Sequence, residues 1–230
     1  MDFSDVHKLG LKAFAGVKPE DIEKCKFRFS KRRLPSRTLI FEEGDPGGDI
    51  IIPITGKLLC LRLQEDGREH AYSFVSAGDI VGHISAIDDG PRSLAIYTQS
   101  ACDILTMSKQ DFWTLLNQSK EFRRNILIDL TSLIRRLTER SFQLTAMSVQ
   151  QRLSVFLLTM IEASYDLSQT PKSIEINIPS HAQITNFIGA NREAVSRAMS
   201  DLKSMKIVEY GEKRQRLRIL SVSRMRSHIS

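Results

Sequence analysis

The sequence predicts an α+β protein with an N-terminal antiparallel β-roll, a long helix and a C-terminal winged helix-turn-helix. Three features of the 230-residue chain lead to this prediction. Residues 34–107 alternate short β-branched runs with Gly- and Asp-containing turns, residues 120–146 contain neither Gly nor Pro, and residues 180–206 form two helical patterns around a tight turn. Short strands at regular spacing favour a roll or barrel, and the last pattern favours a helix-turn-helix.

The overall composition is that of a soluble globular protein. Apolar residues make up 41% of the chain and charged residues 26%. No run approaches the roughly 18 apolar residues of a membrane span, and residues 1–5 lack the features of a signal peptide. Cys25, Cys60 and Cys102 are too widely spaced to suggest a disulfide framework. We therefore expect a cytoplasmic protein without a membrane partner.

The positive charge is concentrated in the last third of the chain. Lys and Arg number 33 and Asp and Glu number 27, which gives a net charge of +6. Residues 148–230 hold 12 basic and 7 acidic side chains, so this segment carries nearly all of the excess. The asymmetry indicates a polyanion-binding C-terminal domain, and a solvated surface with a basic tail is the alternative.

The N-terminal half reads as short helices followed by strands. Residues 5–27 suit short helices, because Pro19 is favourable at a first helical position and Glu20 and Asp21 are favourable near it. No helix-length period interrupts the block that follows, so every apolar run there is predicted to be a strand. The predicted strands are Thr38–Phe41, Ile50–Ile54, Lys57–Leu63, Ala71–Val75, Ile80–Ile84 and Leu94–Thr98.

A long helix is predicted over residues 120–146, after a short helix at 109–117 that Ser108 caps. Its apolar residues form a coiled-coil-like seam, which favours the same helix of a second copy as partner. Burial of the whole helix within one chain is the alternative. The seam predicted as the dimer interface consists of Ile126, Leu130, Leu133, Leu137 and Leu144. The stripe predicted to face the roll consists of Phe122, Ile134 and Phe142.

The C-terminal block contains three helix-start signals. Ser148 and Ser180 each precede a glutamine by three residues, as in a capping box, and Asn191 suits the N-cap of a further helix. A polar loop is predicted at 165–173. The predicted elements are a helix from 148 to about 164, a strand at 174–178, helices at 180–188 and 192–206, and a hairpin of 207–210 and 216–220.

The second helix of the helix-turn-helix carries side chains suited to base recognition. In this motif the N-terminal residues of the second helix enter the major groove. Arginine can bind guanine through two hydrogen bonds, glutamate can accept from cytosine, and serine can bond to either base edge. The alternative is a surface helix with an ion pair between Glu193 and Arg197. The residues predicted to read DNA are Arg192, Glu193, Ser196 and Arg197, and those predicted to pack inward are Val195, Met199 and Leu202.

A β-roll, a long helix and a winged helix-turn-helix in this order resemble the CRP/FNR family of bacterial transcription regulators. The sharpest matches are segments 38–45 (TLIFEEGD), 78–82 (GDIVG) and 191–197 (NREAVSR), with a turn at Gly56. The resemblance implies a jelly-roll sensor similar to cyclic-nucleotide-binding domains, a homodimer on palindromic DNA, allosteric control through the roll, and contact with RNA polymerase through loop 165–173. It divides the chain into a sensor (1–119), a dimerisation helix (120–147) and a DNA-binding domain (148–230).

The resemblance also assigns individual DNA contacts. Glu193, Ser196 and Arg197 match the Glu-x-x-Ser-Arg pattern of regulators that use TTGAT-like half-sites. Arg192 matches an arginine of the cyclic-AMP receptor branch, which uses TGTGA-like half-sites, so both site types stay open. The residues that match the family's phosphate-contacting helix start are Ser180 and His181.

The resemblance places an effector site at the end of the roll. Gly82 matches the glycine that opens the family's nucleotide pocket, and Arg92 and Ser93 match the pair that binds the phosphate. His83 stands where cyclic-AMP binders have a glutamate, and Thr138 matches a hydroxyl residue near the base. Cyclic AMP or another small anion, a different small effector, and no ligand at all stay open.

Other ligands and functions find little support in the sequence. Three cysteines do not supply the four thiolates of an iron–sulfur cluster, and His83 would be a lone haem ligand. No metal-site or catalytic motif appears, so we expect neither a metal cofactor nor an enzyme. The alternative for Arg92 is a surface-turn position beside Asp88 and Asp89. The alternative function is a cyclic-nucleotide-binding regulatory subunit that acts on a protein partner.

Overall fold

A computed structural model describes residues 8–23, 29–63, 69–162, 165, 173–211 and 215–229. Contacts divide the chain into two compact units, Met1–Ile134 and Arg135–Ser230, and the boundary falls within the long helix. Among the helices of the described ranges, none has the length and apolar character that a membrane crossing requires.

The described part of the first unit contains a roll of two antiparallel sheets, which confirms the predicted roll. A 3-10 turn at Lys12–Phe14 and helix α1 at Pro19–Glu23 precede it. The strands are β1 Ser30–Leu34, β2 Leu39–Phe41, β3 Ile50–Pro53, β4 Lys57–Leu63, β5 Glu69–Ser76, β6 Ala95–Thr98 and β7 Cys102–Met107. One sheet has the order β1-β7-β3 and the other the order β2-β6-β4-β5.

Strand β3 of the sheet β1-β7-β3 is covered on both faces. Successive side chains of a strand point to opposite faces, so neighbouring residues of β3 enter different cores. Ile50 and Ile52 lie in a core shared with the flanking helices, whereas Ile51 lies in the core between the two sheets. All residues of β3 are therefore buried, which explains its unbroken apolar sequence.

The predicted strand at Ile80–Ile84 is wrong. Only Val81 pairs there, through two main-chain hydrogen bonds of 2.9 and 3.0 Å with Ile51. Gly82 then adopts a positive φ of 85°, and helix α2 covers His83–Asp88. The prediction that no helix interrupts the strands is wrong for the same reason. A short apolar run does not distinguish a strand from a short buried helix, and the turn at Gly82 decides between them.

Two helices close the first unit. Helix α3 (Lys109–Gln118) begins at the predicted cap, where the Ser108 hydroxyl accepts a hydrogen bond from the Asp111 amide at 3.1 Å. Helix α4 covers Lys120–Ala146, as predicted. Phe122 at its start is fully buried in the core with α3 and β3, which seats this end of α4 on the roll.

Helix α4 distributes its apolar residues differently from the prediction. Ile126 is only 2% exposed and belongs to the core of the first unit, so its assignment to a dimer interface is wrong. Leu130 is partly buried against the same core. Of the stripe predicted to face the roll, only Phe122 is buried; Ile134 and Phe142 are exposed. Phe122 and Ile126 are one helical turn apart, and this pair occupies the face that packs on the roll.

The second unit is a helical head with a small antiparallel sheet. Its elements are α5 Val149–Glu162, β8 Ile174–Asn177, α6 His181–Ile188, α7 Arg192–Ser204, β9 Val208–Tyr210, β10 Arg216–Ile219 and α8 Val222–Ser227. The strand order is β8-β10-β9. One buried apolar cluster joins α5, α6, α7, α8 and the sheet, so the predicted winged helix-turn-helix is confirmed. Helix α8 was not predicted from the sequence.

Candidate nucleic-acid interface and effector site

Local main-chain chemistry sets the turn between α6 and α7. The Gln183 amide donates to the Ser180 hydroxyl at 3.4 Å and the Ser180 amide donates to the Gln183 side-chain oxygen at 3.1 Å, which completes the predicted capping box. Gly189 ends α6 with a φ of 62°, a conformation that glycine adopts without strain. Asn191 then caps α7 by accepting from the Ala194 amide at 2.8 Å. Both helix ends at the turn are therefore stabilised.

Helix α7 has a buried apolar face and an exposed polar face. Val195, Met199 and Leu202 are fully buried in the core of the head, as predicted. Glu193 and Arg197 form no ion pair with each other among the described residues. The residues predicted to read DNA, all exposed, are Arg192, Glu193, Ser196 and Arg197. Their polar groups are available to base edges.

The small sheet carries arginines that are already paired with carboxylates. Arg218 lies 2.7 Å from Glu209 and 3.9 Å from Glu175, and Arg216 lies 3.5 Å from Glu175. Part of the excess positive charge is therefore neutralised within the head itself. Residues 213–214 of the predicted basic tail lie outside the described residues. Basic side chains of the described head without an ion pair include Arg192, Arg197, Lys203 and Lys206.

The two residues predicted to contact phosphate make different hydrogen bonds within the chain. The Ser180 hydroxyl serves the capping box and also lies 3.1 Å from the Gln183 side-chain oxygen, to which it donates. His181 is half-buried, and its carbonyl accepts from the Thr185 hydroxyl at 2.6 Å. The hydroxyl of Ser180 is therefore committed within the chain, while the phosphate contacts themselves stay predictions.

In the first unit, Arg92 is buried in a cage of acceptors and only 5% exposed. Its Nη1 donates to the Gly82 carbonyl at 3.0 Å and to the Ser85 hydroxyl at 2.9 Å, and its Nη2 donates to the Asp49 carbonyl at 2.7 Å. The guanidinium carbon lies 3.7 Å from the centre of the Phe41 ring, a cation–π contact. The surface-turn alternative for Arg92 is therefore wrong.

The cage engages two of the three guanidinium nitrogens of Arg92. The Nε of Arg92 is buried and has no hydrogen-bond partner among the described residues, and an unpaired buried donor is costly. Phe41 and Asp49 also line a cavity of about 240 Å³ together with Ile51. Burial lowers the pKa of the Arg92 guanidinium, and the charges of Asp49 and Asp45 oppose that shift. Arg92 is not among the residues that line this cavity, so an anion at Nε stays a prediction.

His83 connects this cage with helix α4. It follows Gly82 directly, is 4% exposed, and places Nε2 at 3.3 Å from an oxygen of Asp129 on α4. Neither ring nitrogen has a well-aligned hydrogen bond among the described residues. Because the Gly82 carbonyl accepts from Arg92, a short series of contacts joins the guanidinium to the long helix.

The predicted effector residues are brought together only in part. Gly82, His83 and Arg92 are adjacent, whereas Ser93 is exposed. Thr138 belongs to the second unit, and its part in the site stays a prediction. Sequence reasoning missed four partners of this cage, since most of them are far away in the chain. They are Phe41, Asp49, Ser85 and Asp129. Ser85 lies three residues after Gly82, so a helix in this segment places the two residues on the same side.

Few of the described residues are placed to bind a metal ion or to act as a reactive thiol. Within the ranges that the structure describes, no group of three or more His, Cys, Asp and Glu is placed to hold a metal ion. Cys60 and Cys102 are buried, and burial raises the pKa of the Cys60 thiol. Cys25 lies outside the described residues. Cys60 and Cys102 pack as small apolar side chains of the roll.

Family profiles match both halves of the chain. Residues 31–119 match the cyclic nucleotide-binding domain, and residues 151–227 match the Crp-like helix-turn-helix domain. The cyclic AMP receptor protein of Thermus thermophilus is 24% identical over 205 residues, which cover 88% of this chain and 90% of that protein. The CRP-like cAMP-activated global transcriptional regulator of Mycobacterium tuberculosis is 25% identical over 199 residues, 82% of this chain and 84% of that protein.

Solved structures share the fold over nearly the whole chain. The c-di-GMP responsive global regulator CLP of Xanthomonas campestris superposes with a TM-score of 0.69 at 19% identity, over 89% of this chain and 100% of that one. A transcriptional regulator of the CRP/FNR family from Eubacterium rectale gives a TM-score of 0.68 at 15% identity, over 92% and 93%. At these identities the likeness concerns the fold.

Proposed function

Because the chain belongs to the CRP/FNR family of transcription regulators, we propose that it acts as a homodimer that binds a palindromic DNA site under the control of its β-roll. The matched domains and relatives directly support a CRP-like DNA-binding transcription regulator. The relatives are regulators rather than enzymes, consistent with a non-enzymatic role. A regulatory subunit that acts only on a protein partner is not favoured, because such a role needs no helix-turn-helix.

The observation that carries the proposal is the exposed polar face at the N-terminal end of α7. Arg192 and Arg197 are exposed, carry no ion pair among the described residues, and are presented by a helix whose other face is fully buried. Two arginines, a glutamate and a serine in this arrangement offer donors and an acceptor for base edges in the major groove. Arg197 and Glu193 would read the central G·C step of either half-site type.

The proposed dimer interface is the exposed apolar stripe of α4. Leu127, Leu130, Ile134, Leu137 and Leu144 follow one another at steps of three, four, three and seven residues, which is the spacing of a coiled-coil seam. All of them are exposed except Leu130, which is partly buried. Leu133 of the seam predicted from the sequence is half-buried. An apolar stripe of this length on one helix favours an isologous contact with a second copy.

The effector that we propose is a cyclic nucleotide or another small anion. The family profile of the roll is that of a cyclic nucleotide-binding domain, and the unpaired Nε of the buried Arg92 offers a donor to one anionic oxygen. The contact between His83 and Asp129 would pass a change in the cage to α4, because a shift of the cage on ligand binding requires a matching shift of the helix. The RNA polymerase contact of loop 165–173 stays a prediction, since most of that loop lies outside the described residues.

Fluorescence anisotropy with a TTGAT-N4-ATCAA duplex, with and without cyclic AMP, tests the proposal. We expect binding that weakens steeply with salt, because phosphate contacts release counterions, and that exceeds binding to an unrelated duplex. A selection from random-sequence DNA identifies the preferred half-site if this duplex is not the best one. Failure to enrich any duplex, with and without cyclic AMP, would contradict DNA recognition by the chain.

Replacing Arg92 by glutamine is expected to weaken cyclic AMP binding by about 50-fold or more, since the change removes the charge-assisted donor. Isothermal titration calorimetry of the full-length protein measures the affinity. Thermal unfolding and ligand-free DNA binding check that the variant is folded. Arg62→Gln is the matched control, because Arg62 is an exposed arginine of the same roll, 2.7 Å from Glu43. Equal affinity in parent and Arg92→Gln would place the ligand elsewhere.

A further inference from the structure

The ends of two helices meet at one arginine in the second unit. The Nη1 of Arg152 on α5 donates to the Leu144 carbonyl in the last turn of α4 at 3.2 Å. Its Nη2 donates to the carbonyl of Gly189, the residue that ends α6, at 3.4 Å. One guanidinium therefore bridges the end of the long helix and the turn of the helix-turn-helix.

This position suits a cation for a general reason. The last carbonyls of a helix have no partner within the helix, and the aligned peptide dipoles give that end a partial negative charge. Arg152 faces two such ends at once, and a planar guanidinium can donate to two separate acceptors in fixed directions. A lysine has no such fork and would serve the two carbonyls less well.

Direct packing supports the same contact. A Cβ atom at Gly189 would lie 2.8 Å from the Cδ2 of Leu144 and 3.6 Å from the Nη2 of Arg140. The turn thus rests against the end of α4, where a Cβ would force the Leu144 side chain to shift, and the positive φ of Gly189 would strain any other residue. The contact is therefore built from a side chain, two carbonyls and a tight van der Waals surface.

The bridged turn lies at the base of the helix proposed to read DNA. Gly189 is two residues before Asn191, whose side chain caps α7, and Arg192 is the first residue of that helix. We infer that Arg152 is a positioning residue that fixes the reading helix against the end of α4 and thereby sets specific DNA affinity. This inference rests on the proposed function, since it assumes that α7 reads DNA. A helix held in place before binding loses less conformational freedom on docking than a mobile one.

The test compares the parent with Arg152→Gln on two duplexes across a salt series. The specific probe is the duplex that the parent selects from random-sequence DNA, and the other probe has an unrelated sequence. We expect specific affinity to fall by about 5- to 50-fold, which lies within the range of typical couplings between sites, while non-specific affinity and both salt slopes stay unchanged. Arg152→Lys is expected to restore part of the loss. Arg226→Gln is the matched control, since Arg226 pairs at the surface with Glu162 at 3.3 Å.

Each other outcome has a definite meaning. Equal or tighter specific binding by Arg152→Gln would overturn the inference. Equal losses on both duplexes would indicate damage to the fold, and a salt slope smaller by about one would indicate a direct phosphate contact; either result also overturns a positioning role. If the parent itself prefers no duplex, the proposed function fails, which is distinguishable from failure of the inference because the variant is then not needed.

Discussion

Replacing Leu127 and Leu137 by lysine is expected to make the protein monomeric and to weaken operator binding by roughly 100-fold or more, because a single head lacks the effective concentration that a linked second head provides. The two side chains are 56% and 55% exposed and lie on the α4 stripe proposed as the dimer interface. In a dimer, each lysine would bring a charge into a dehydrated apolar seam. In the isolated chain the same changes cost little, since both positions are exposed.

Light scattering measures the mass of the double variant, and anisotropy measures its DNA affinity. Glu139→Lys is the matched control: Glu139 is exposed on α4 outside the apolar stripe, and this one change adds the same two units of positive charge. The control is expected to stay dimeric. A dimer mass for the double variant would show that the copies associate through another surface.

Replacing Arg197 by alanine is expected to cost about 1–3 kcal/mol of specific binding, or roughly 5- to 150-fold in affinity, and to relax base preference at the central G·C step. The side chain is exposed on α7 and forms no ion pair among the described residues. Its removal therefore breaks no contact that stabilises the head, and the loss should appear only when DNA is bound.

Anisotropy on the selected duplex and on a duplex with the central G·C pairs exchanged measures both effects. Arg226→Ala removes the same charge from the head without touching α7 and is expected to keep the base preference. A phosphate contact by Arg197 would instead weaken binding to all sequences alike and lower the salt slope by about one. That result, or unchanged binding, would remove Arg197 from the reading set.

The features that the sequence predicted best have causes within a few residues. The capping residues at positions 108, 180 and 191 act where predicted, because a cap bonds an amide only three residues away. The bounds of α4 agree with the absence of Gly and Pro over the same range. The apolar period of α7 likewise identified its buried face, which in turn left the exposed residues as candidates for base contacts.

The predictions that failed depended on distant parts of the chain. Strand β1 was missed because four of its five residues are exposed, so it carries Lys31, Arg32 and Arg33 without an apolar alternation. The apolar residues of Ile80–Ile84 fit a strand and a short helix equally well, so the sequence alone does not distinguish the two. The partners of Arg92 were missed for a related reason: Asp49 is 43 positions away and joins it only when the roll closes.

Periodicity and capping therefore specify the order of roll, long helix and head, the helix ends and the polar face of α7. Which apolar stripe of α4 belongs to the roll and which stays exposed depends on how the folded chain packs. The same packing makes Arg92 a caged residue rather than a surface one. The physical reason is that periodicity marks a residue as apolar or polar, whereas only packing determines which neighbour covers it.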